Sequence, residues 1–462
     1  MTALFVDSSR SFNELLVDNN NNNNKPILTQ SNSAEAQNPH NDLAIINKSI
    51  KAVGHAMYQT LQSPEFQDFY NDNNSFFVCD LGEVYRLYQY WKHKLPRIHP
   101  FYAIKCNTDP EIIKILGKMG ANFDCASKRE MEIILQSGID PSRIVFSNPC
   151  KFNSHLKFAK EVNVNLTVFD NEDELVKIAK IHPHCKALLR IETDDKAAVV
   201  RLSTKYGAKL SAVDSLLAKA KDLGVELVGV HFHCGAGSDE FDSIIKAIKD
   251  ARNIFDQATS MGFNMNVLDL GGGYMISNNF DNVCTVLNTT LDQYFPTDSG
   301  VRIISEPGRF FPTSAFTLAS NIIGKRDSYH DDDNIPMVYI NDGIYANMNC
   351  IINDHYTPIP KVLSQDNHFR FYDEIQNDLN GKHGEYEISC WGQTCDSADV
   401  INKTVSINYP VNVGDWFFFR NMGAYTLAAT TDFNGFNQRS KIVYISSEEH
   451  VRYDKISEDW II

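Results

Sequence analysis

The stretch HPFYAIKCN, residues 99–107, carries a lysine where an apolar strand runs into a core. Phe101, Tyr102, Ala103 and Ile104 predict a short buried strand between Pro100 and the turn-prone Asn107-Thr108-Asp109-Pro110. Lys105 then closes the strand, against the core. A buried ammonium is costly unless it is paired, neutralised or chemically used. The plain alternative is a lysine that snorkels to the surface at a strand end. What the other strand ends carry decides between the two.

Working outward, seven more strand-like runs follow: NFDCAS (122–127), RIVFSN (143–148), LTVFD (166–170), KALLRIE (186–192), GVHFHCG (229–235), VLDLGGGY (267–274) and RIISEPGR (302–309). Amphipathic helical stretches separate most of them. In DPEIIKILGKMG, Asp109 suits a cap, Pro110 the first helical position, and Ile112, Leu116 and Met119 share one face. KREMEIILQSG, NEDELVKIAKIH, SAVDSLLAKAKDLG and FDSIIKAIKDARNIFDQATSMG repeat the pattern. Eight strands alternating with helices predict an α/β fold, a closed (β/α)8 TIM barrel, with an open doubly wound sheet as the alternative. Past residue 315 the runs MVYIND, YEISCW, VGDWFFFRN and SKIVYI predict a C-terminal, mostly antiparallel β-domain, to which SFFVCDL (75–81) returns. The expected organisation is an Asn-rich disordered tail (1–45), a helix and strand belonging to the β-domain (46–80), the barrel (81–315) and the β-domain (316–462).

A chain of 462 residues has room for two substantial cores. No run is long and apolar enough for a membrane span, and no signal peptide opens the chain. The ten cysteines show no paired zinc spacing and read as reduced thiols, so a cytoplasmic protein without a metal site is expected. A formal charge of −15 argues against nucleic acid or an anionic membrane as partner, and agrees with a small cationic ligand.

Chemistry in such a barrel gathers at the strand ends. Here they offer Lys105, Asp124, Ser127, Asn148, Arg190, His233, the run Gly271-Gly272-Gly273, and Glu306 with Arg309. The glycine turn suits a phosphate, and Arg309 suits a bidentate grip on it. A Schiff-base lysine, a phosphate cradle and a carboxylate near the phosphate arginine match the needs of pyridoxal 5'-phosphate. Glu306 would face the pyridine nitrogen, and His233 would stack on the ring.

The motifs PFYAIKCN, FDCASKRE, LRIETDD, RLSTKYG, HFHCGAG, LDLGGGY, SEPGRFF, INDGIYANMNCIINDH, GQTCDSAD and RNMGAYTLAATTDFNGF stand in order along the chain. With them the sequence resembles the eukaryotic ornithine decarboxylase family, in the alanine-racemase-like group of pyridoxal-phosphate decarboxylases. The resemblance implies decarboxylation of ornithine to putrescine, the first step of polyamine biosynthesis. It implies that Lys105 carries the cofactor with Asp124 and Glu130 near it, that Arg190 and His233 contact it, and that Glu306 pairs with its ring nitrogen. Gly271, Gly272, Gly273, Arg309 and Tyr425 would hold the phosphate. Asp354 and Asp396 would bind the distal ammonium, and Cys395 would return a proton to the α-carbon. It further implies a homodimer with shared active sites, Cys395 and Asp396 coming from the partner, Lys205 and Asp399 bridging the subunits, and a possible protein inhibitor of the antizyme type.

Three residues depart from the family pattern: Ala236 where a phosphate-binding Ser is usual, Asn353 in place of Tyr or Phe, and Gln393 in place of Pro. The last two stand beside substrate carboxylates, so decarboxylation of lysine or another diamino acid is the alternative. A catalytically inactive decarboxylase-like regulator is the other, and it conflicts with the retention of Lys105, Glu306, Arg309 and Cys395.

Overall fold

The computed structural model describes residues 43–67, 74–194, 203–234, 241–277, 279–326, 335–436 and 440–451. The Asn-rich segment up to residue 42 and the departure at Ala236 lie outside them. The chain forms two compact units, one spanning Trp91–Phe311 and one built from the segments before and after it. Strand β1 is Phe76–Asp80. In the central unit follow β2 (Ile98–Ala103), β3 (Asn122–Cys125), β4 (Ile144–Phe146), β5 (Leu166–Phe169), β6 (Lys186–Arg190), β7 (Glu226–His231), β8 (Val267–Asp269) and β9 (Arg302–Ser305).

Strands β2 to β9 pair in parallel, each with the next, and β9 closes on β2 with Ile98 opposite Ile303. The sheet is therefore the closed barrel, and the open alternative falls. Phe101, Val145, Val168, Leu188, Val228 and Ile304 fill its interior. Helices form where the capping chemistry permits. Asp109 accepts from the N–H groups of Glu111 and Ile112, with Pro110 at the first position of the helix Pro110–Lys118. Ser127, a candidate strand-end group, instead caps the helix Lys128–Gln136 by accepting from Glu130 N–H at 3.3 Å. Glu130 reaches back to Ala126 N–H, so S-K-R-E works as a variant of the capping box.

Lys105 does not close the strand. Strand β2 ends at Ala103, whose N–H donates to Pro307 O at 3.1 Å, and Ile104–Cys106 forms one 3₁₀ turn. The turn carries the Lys105 side chain out of the core, leaving it 49% exposed.

The second unit holds β1 together with β10 (Phe316–Arg326), β11 (Met337–Ile340), β12 (Lys361–Gln365), β13 (His368–Phe369), β14 (Tyr386–Trp391), β15 (Val400–Ile407), β16 (Trp416–Phe419) and β17 (Lys441–Ile445). The order is β13-β12-β16-β10-β11-β14-β15, with β1 paired to β10 and to β17. Pairing is mostly antiparallel; β1 with β17 and β11 with β14 are parallel. Val53, Met57, Phe76, Phe371, Trp416 and Phe418 pack on one face of this sheet, beneath the helices Leu43–Leu61 and Phe371–Leu379. Strands β10, β12, β13 and β15 were not read from the sequence. No described helix is long and apolar enough to cross a membrane.

Candidate active site

The C-terminal ends of the barrel strands bring most of the expected residues together. Lys105 Nζ lies 3.6 Å from Asp124 Oδ2, just past the ends of β2 and β3. Asp124 is buried and also accepts a hydrogen bond from the Ser147 hydroxyl. Register places Arg190, His231 and Asp269 opposite one another on β6, β7 and β8. Glu306 follows β9 directly, its N–H donating to Gly271 O at 2.7 Å, and its Oε2 lies 3.2 Å from His231 Nε2.

The glycine run forms a tight backbone turn. Gly271 (φ +65°) and Gly273 (φ +100°) hold left-handed conformations that other residues resist. A Cβ on Gly271 would sit 2.3 Å from Phe232 O, and one on Gly272 would sit 2.5 Å from Glu306 O and 3.0 Å from His233 Nε2. Gly271 N–H, expected to face a ligand, donates to Asp269 Oδ1 at 2.9 Å.

Burial sets the charge states. Burial pushes Asp124 up to about 7, the nearby Glu306 charge adds to this, and Lys105 opposes it. Burial would also raise Glu306, but His231, Lys105 and His233 outweigh it and hold the carboxylate below its ordinary range. Asp269 is pushed well up by burial and by Glu306. Burial, then Arg190 and Lys105, press His233 well down. At the floor of the site the surroundings thus favour charge on Glu306 and disfavour it on Asp269 and His233.

His231, Asp269 and Ser147 were not singled out from the sequence. Their signal was positional: His231 and Asp269 end β7 and β8, and Ser147 directly follows β4, at the barrel end where chemistry gathers.

The remaining expected residues belong to the β unit. Asp396 accepts from the Tyr345 hydroxyl and from Ala398 N–H at 3.0 Å, and the Tyr345 ring stacks on Phe433 with centroids 4.3 Å apart. Cys395 is exposed, its N–H held by Asn434 Oδ1 at 2.9 Å. Asp354 ends the one-turn helix Cys350–Asn353, beside the exposed Asn353, and is followed by His355 at φ +53°. Tyr425 also holds a positive φ, +53°, a conformation that a bulky side chain adopts only when its surroundings enforce it. Gln393 is partly buried in the same turn as Cys395. Tyr345 lies within a quoted motif yet was not assigned a role.

Asp399, expected to bridge to Lys205 across a subunit interface, also has partners in its own chain. It is buried, accepts from Ile344 N–H at 2.8 Å, Thr394 N–H at 3.0 Å and the Thr394 hydroxyl at 2.6 Å, and a Cβ on Gly392 would lie 2.1 Å from it. These bonds shape the GQTCD turn. Lys205 lies exposed over the Tyr206 ring.

Residues 81–313 match the family described as "Pyridoxal-dependent decarboxylase, pyridoxal binding domain". The chain is 47% identical over 386 residues to ornithine decarboxylase of Saccharomyces cerevisiae, covering 82% of each. It is 42% identical over 382 residues to antizyme inhibitor 2 of Xenopus laevis, covering 79% of this chain and 80% of that one. Among solved structures, the arginine decarboxylase of Paramecium bursaria Chlorella virus is similar with a TM-score of 0.76 at 34% identity, over 85% of this chain and 100% of that one.

Proposed function

Because the chain belongs to the pyridoxal-dependent decarboxylases, we propose that it converts L-ornithine to putrescine and carbon dioxide, the first step of polyamine biosynthesis. The observation that carries the reading is the Lys105 amine, half-exposed and 3.6 Å from Asp124, at the same barrel end as the buried Glu306.

The residues fit pyridoxal phosphate. Glu306 Oε1 and Arg190 Nε are buried without a hydrogen-bond partner among the described residues, which suits a polar ligand beside them. The backbone at Gly272 approaches Glu306 and His233 so closely that a Cβ would fill the space. When bound, the cofactor supplies the electron sink for cleavage at the α-carbon.

Within this reading Lys105 is the amine that attaches the cofactor, and Asp124 steadies that side chain when its amine is released. Glu306, ionised, pairs with the ring N–H, and His233, uncharged, stacks on the ring. Gly272 and Gly273 N–H groups, Arg309 and Tyr425 hold the phosphate. Asp354 and Asp396 hold the distal ammonium of the substrate by charge-assisted hydrogen bonds, and Tyr345 keeps Asp396 in place. The exposed Cys395 thiol delivers the proton that replaces the lost carboxylate at the α-carbon. The working form is a homodimer in which Cys395 and Asp396 serve the partner's barrel, and similarity to an antizyme inhibitor supports regulation by an antizyme-type protein. The ten cysteines show no disulfide among the described residues, which suits a reducing compartment, the cytoplasm.

Carbon dioxide release from ornithine, lysine and arginine, with and without added pyridoxal phosphate, tests the proposal. Ornithine should be the best substrate. Faster release from lysine would shift the assignment to a lysine decarboxylase, and no release from any of the three would favour the inactive regulator.

A further inference from the structure

The reading above gives Glu306 the ring nitrogen of the cofactor, but leaves unexplained what keeps a fully buried carboxylate ionised and aimed. Lys105 and His233 favour its charge, whereas Asp269 and Asp124 repel it. His231 is different. Its Nε2 lies 3.2 Å from Glu306 Oε2, its side chain is 1% exposed, and its Nδ1 has no hydrogen-bond partner among the described residues. That asymmetry selects the tautomer. The ring proton belongs on Nε2, where it meets a carboxylate, because an unpaired donor at Nδ1 would cost more than an unpaired acceptor.

His231 ends β7 opposite Asp269, the last residue of β8, so the imidazole is held by strand register rather than by a loop. Asp269 is fixed in turn, since its Oδ1 accepts from Gly271 N–H. One oxygen of Glu306 is therefore tied down, and Oε1 is left buried without a hydrogen bond among the described residues. Burial and the Glu306 charge push Asp269 up, which eases the repulsion between the two carboxyl groups.

We propose that His231 is a positioning residue for the reaction: by donating Nε2–H to Glu306 Oε2, it holds Glu306 ionised and presents Oε1 to the ring N–H of the cofactor. This rests on the assignment of Glu306 to the ring nitrogen. His233, two residues on, is the ring-stacking group in that assignment, so the two histidines of HFHCG divide the work.

The test compares three variants of the holoprotein, reading the ¹⁵N signal of ring-labelled pyridoxal phosphate and cofactor affinity by titration of the apoprotein. His231→Gln keeps an amide N–H where Nε2 stands, whereas His231→Asn is one methylene short of Glu306. Asn should move the ring nitrogen from its protonated toward its neutral signal and weaken cofactor binding roughly ten-fold, as loss of one hydrogen bond to a charged group would. Gln should restore both. Thermal melts of the two should be alike, since a purely structural defect would strike them equally. If Asn leaves the signal and affinity unchanged while Glu306→Gln loses them, His231 has no such role and the Glu306 assignment stands. If Glu306→Gln also leaves the ring nitrogen protonated, the Glu306 assignment fails and this inference with it.

Discussion

Lys151 offers the sharpest energetic test of the barrel. It lies just past β4 with a side chain that is 0% exposed, and its Nζ is 3.0 Å from Glu174 Oε1. It also donates to Asn148 O at 2.9 Å and to Val168 O, in β5, at 2.6 Å. One ammonium thus ties the segment after β4 to β5 and to the helix Glu172–Ile181. Lys151→Met keeps the apolar stem but strands two carbonyls and half-orphans a carboxylate that is 1% exposed. Removing one partner of a buried pair costs about 3–5 kcal/mol. Lys177 remains 2.5 Å from Glu174 Oε2, so the lower end applies, about 3 kcal/mol. For a unit of this size that lowers the melting temperature by roughly 6–12 °C. Urea unfolding of Lys151→Met, Glu174→Gln and the double variant measures it. The double should cost less than the sum of the singles by about 2 kcal/mol, because the two charges vanish together. A single-variant loss below about 1 kcal/mol, or strict additivity, would refute the reasoning.

Four further expectations follow from the sites. Borohydride treatment of the holoprotein should leave the cofactor covalently on Lys105; peptide mapping to any other lysine would overturn that assignment. Asp354→Asn and Asp396→Asn should each raise KM for ornithine roughly ten-fold, with some loss of kcat, and an unchanged KM in both would contradict the proposed pose. Asp124, lifted from about 3.8 to about 7 in the folded protein, binds more protons folded than unfolded across that window. Its share of stability is therefore present at low pH and lost as pH rises through about 7. Asp124→Asn should flatten that slope in urea titrations of the apoprotein, and an identical slope would remove the group from the balance. Mixing Lys105→Ala with Cys395→Ala protein should recover about a quarter of wild-type activity, since half the dimers are mixed and each holds one intact site. With subunit exchange shown by two tags, activity left at single-variant levels would disprove shared sites.

The barrel was legible because its strands are apolar runs bounded by turn residues, and its helices carry caps such as Asp109-Pro110 that act locally. What escaped was decided at a distance. Lys105 leaves its strand because Ala103 N–H bonds Pro307, which no local pattern announces. Strand β10 was missed because Ser320 and Asn321 break the apolar run, and the Asn321 amide finds its acceptors, Gly414 O and Asp415 O, far along the chain. His231 and Asp269 looked like ordinary polar alternation until register set them side by side. The buried setting of Asp399 escaped as well, because nothing local announces that Thr394 and Ile344 enclose it.

Strand β1 has a consequence for how the chain comes off the ribosome. Its partners are β10, with Cys79 opposite Phe316, and β17, with Phe76 opposite Lys441. The first segment of the β unit therefore emerges early and waits while the whole barrel is translated before either neighbour exists. The barrel's own pairings are nearly all between successive strands, so it can condense during synthesis, whereas β1 remains an apolar FFVCD segment open to wrong partners. Pairings this distant in sequence are slow to form, because loop closure precedes any reward. A nascent chain stalled before residue 316 would present that segment with both flanks unpaired, which makes elongation through the barrel the stage at which this protein most needs a chaperone.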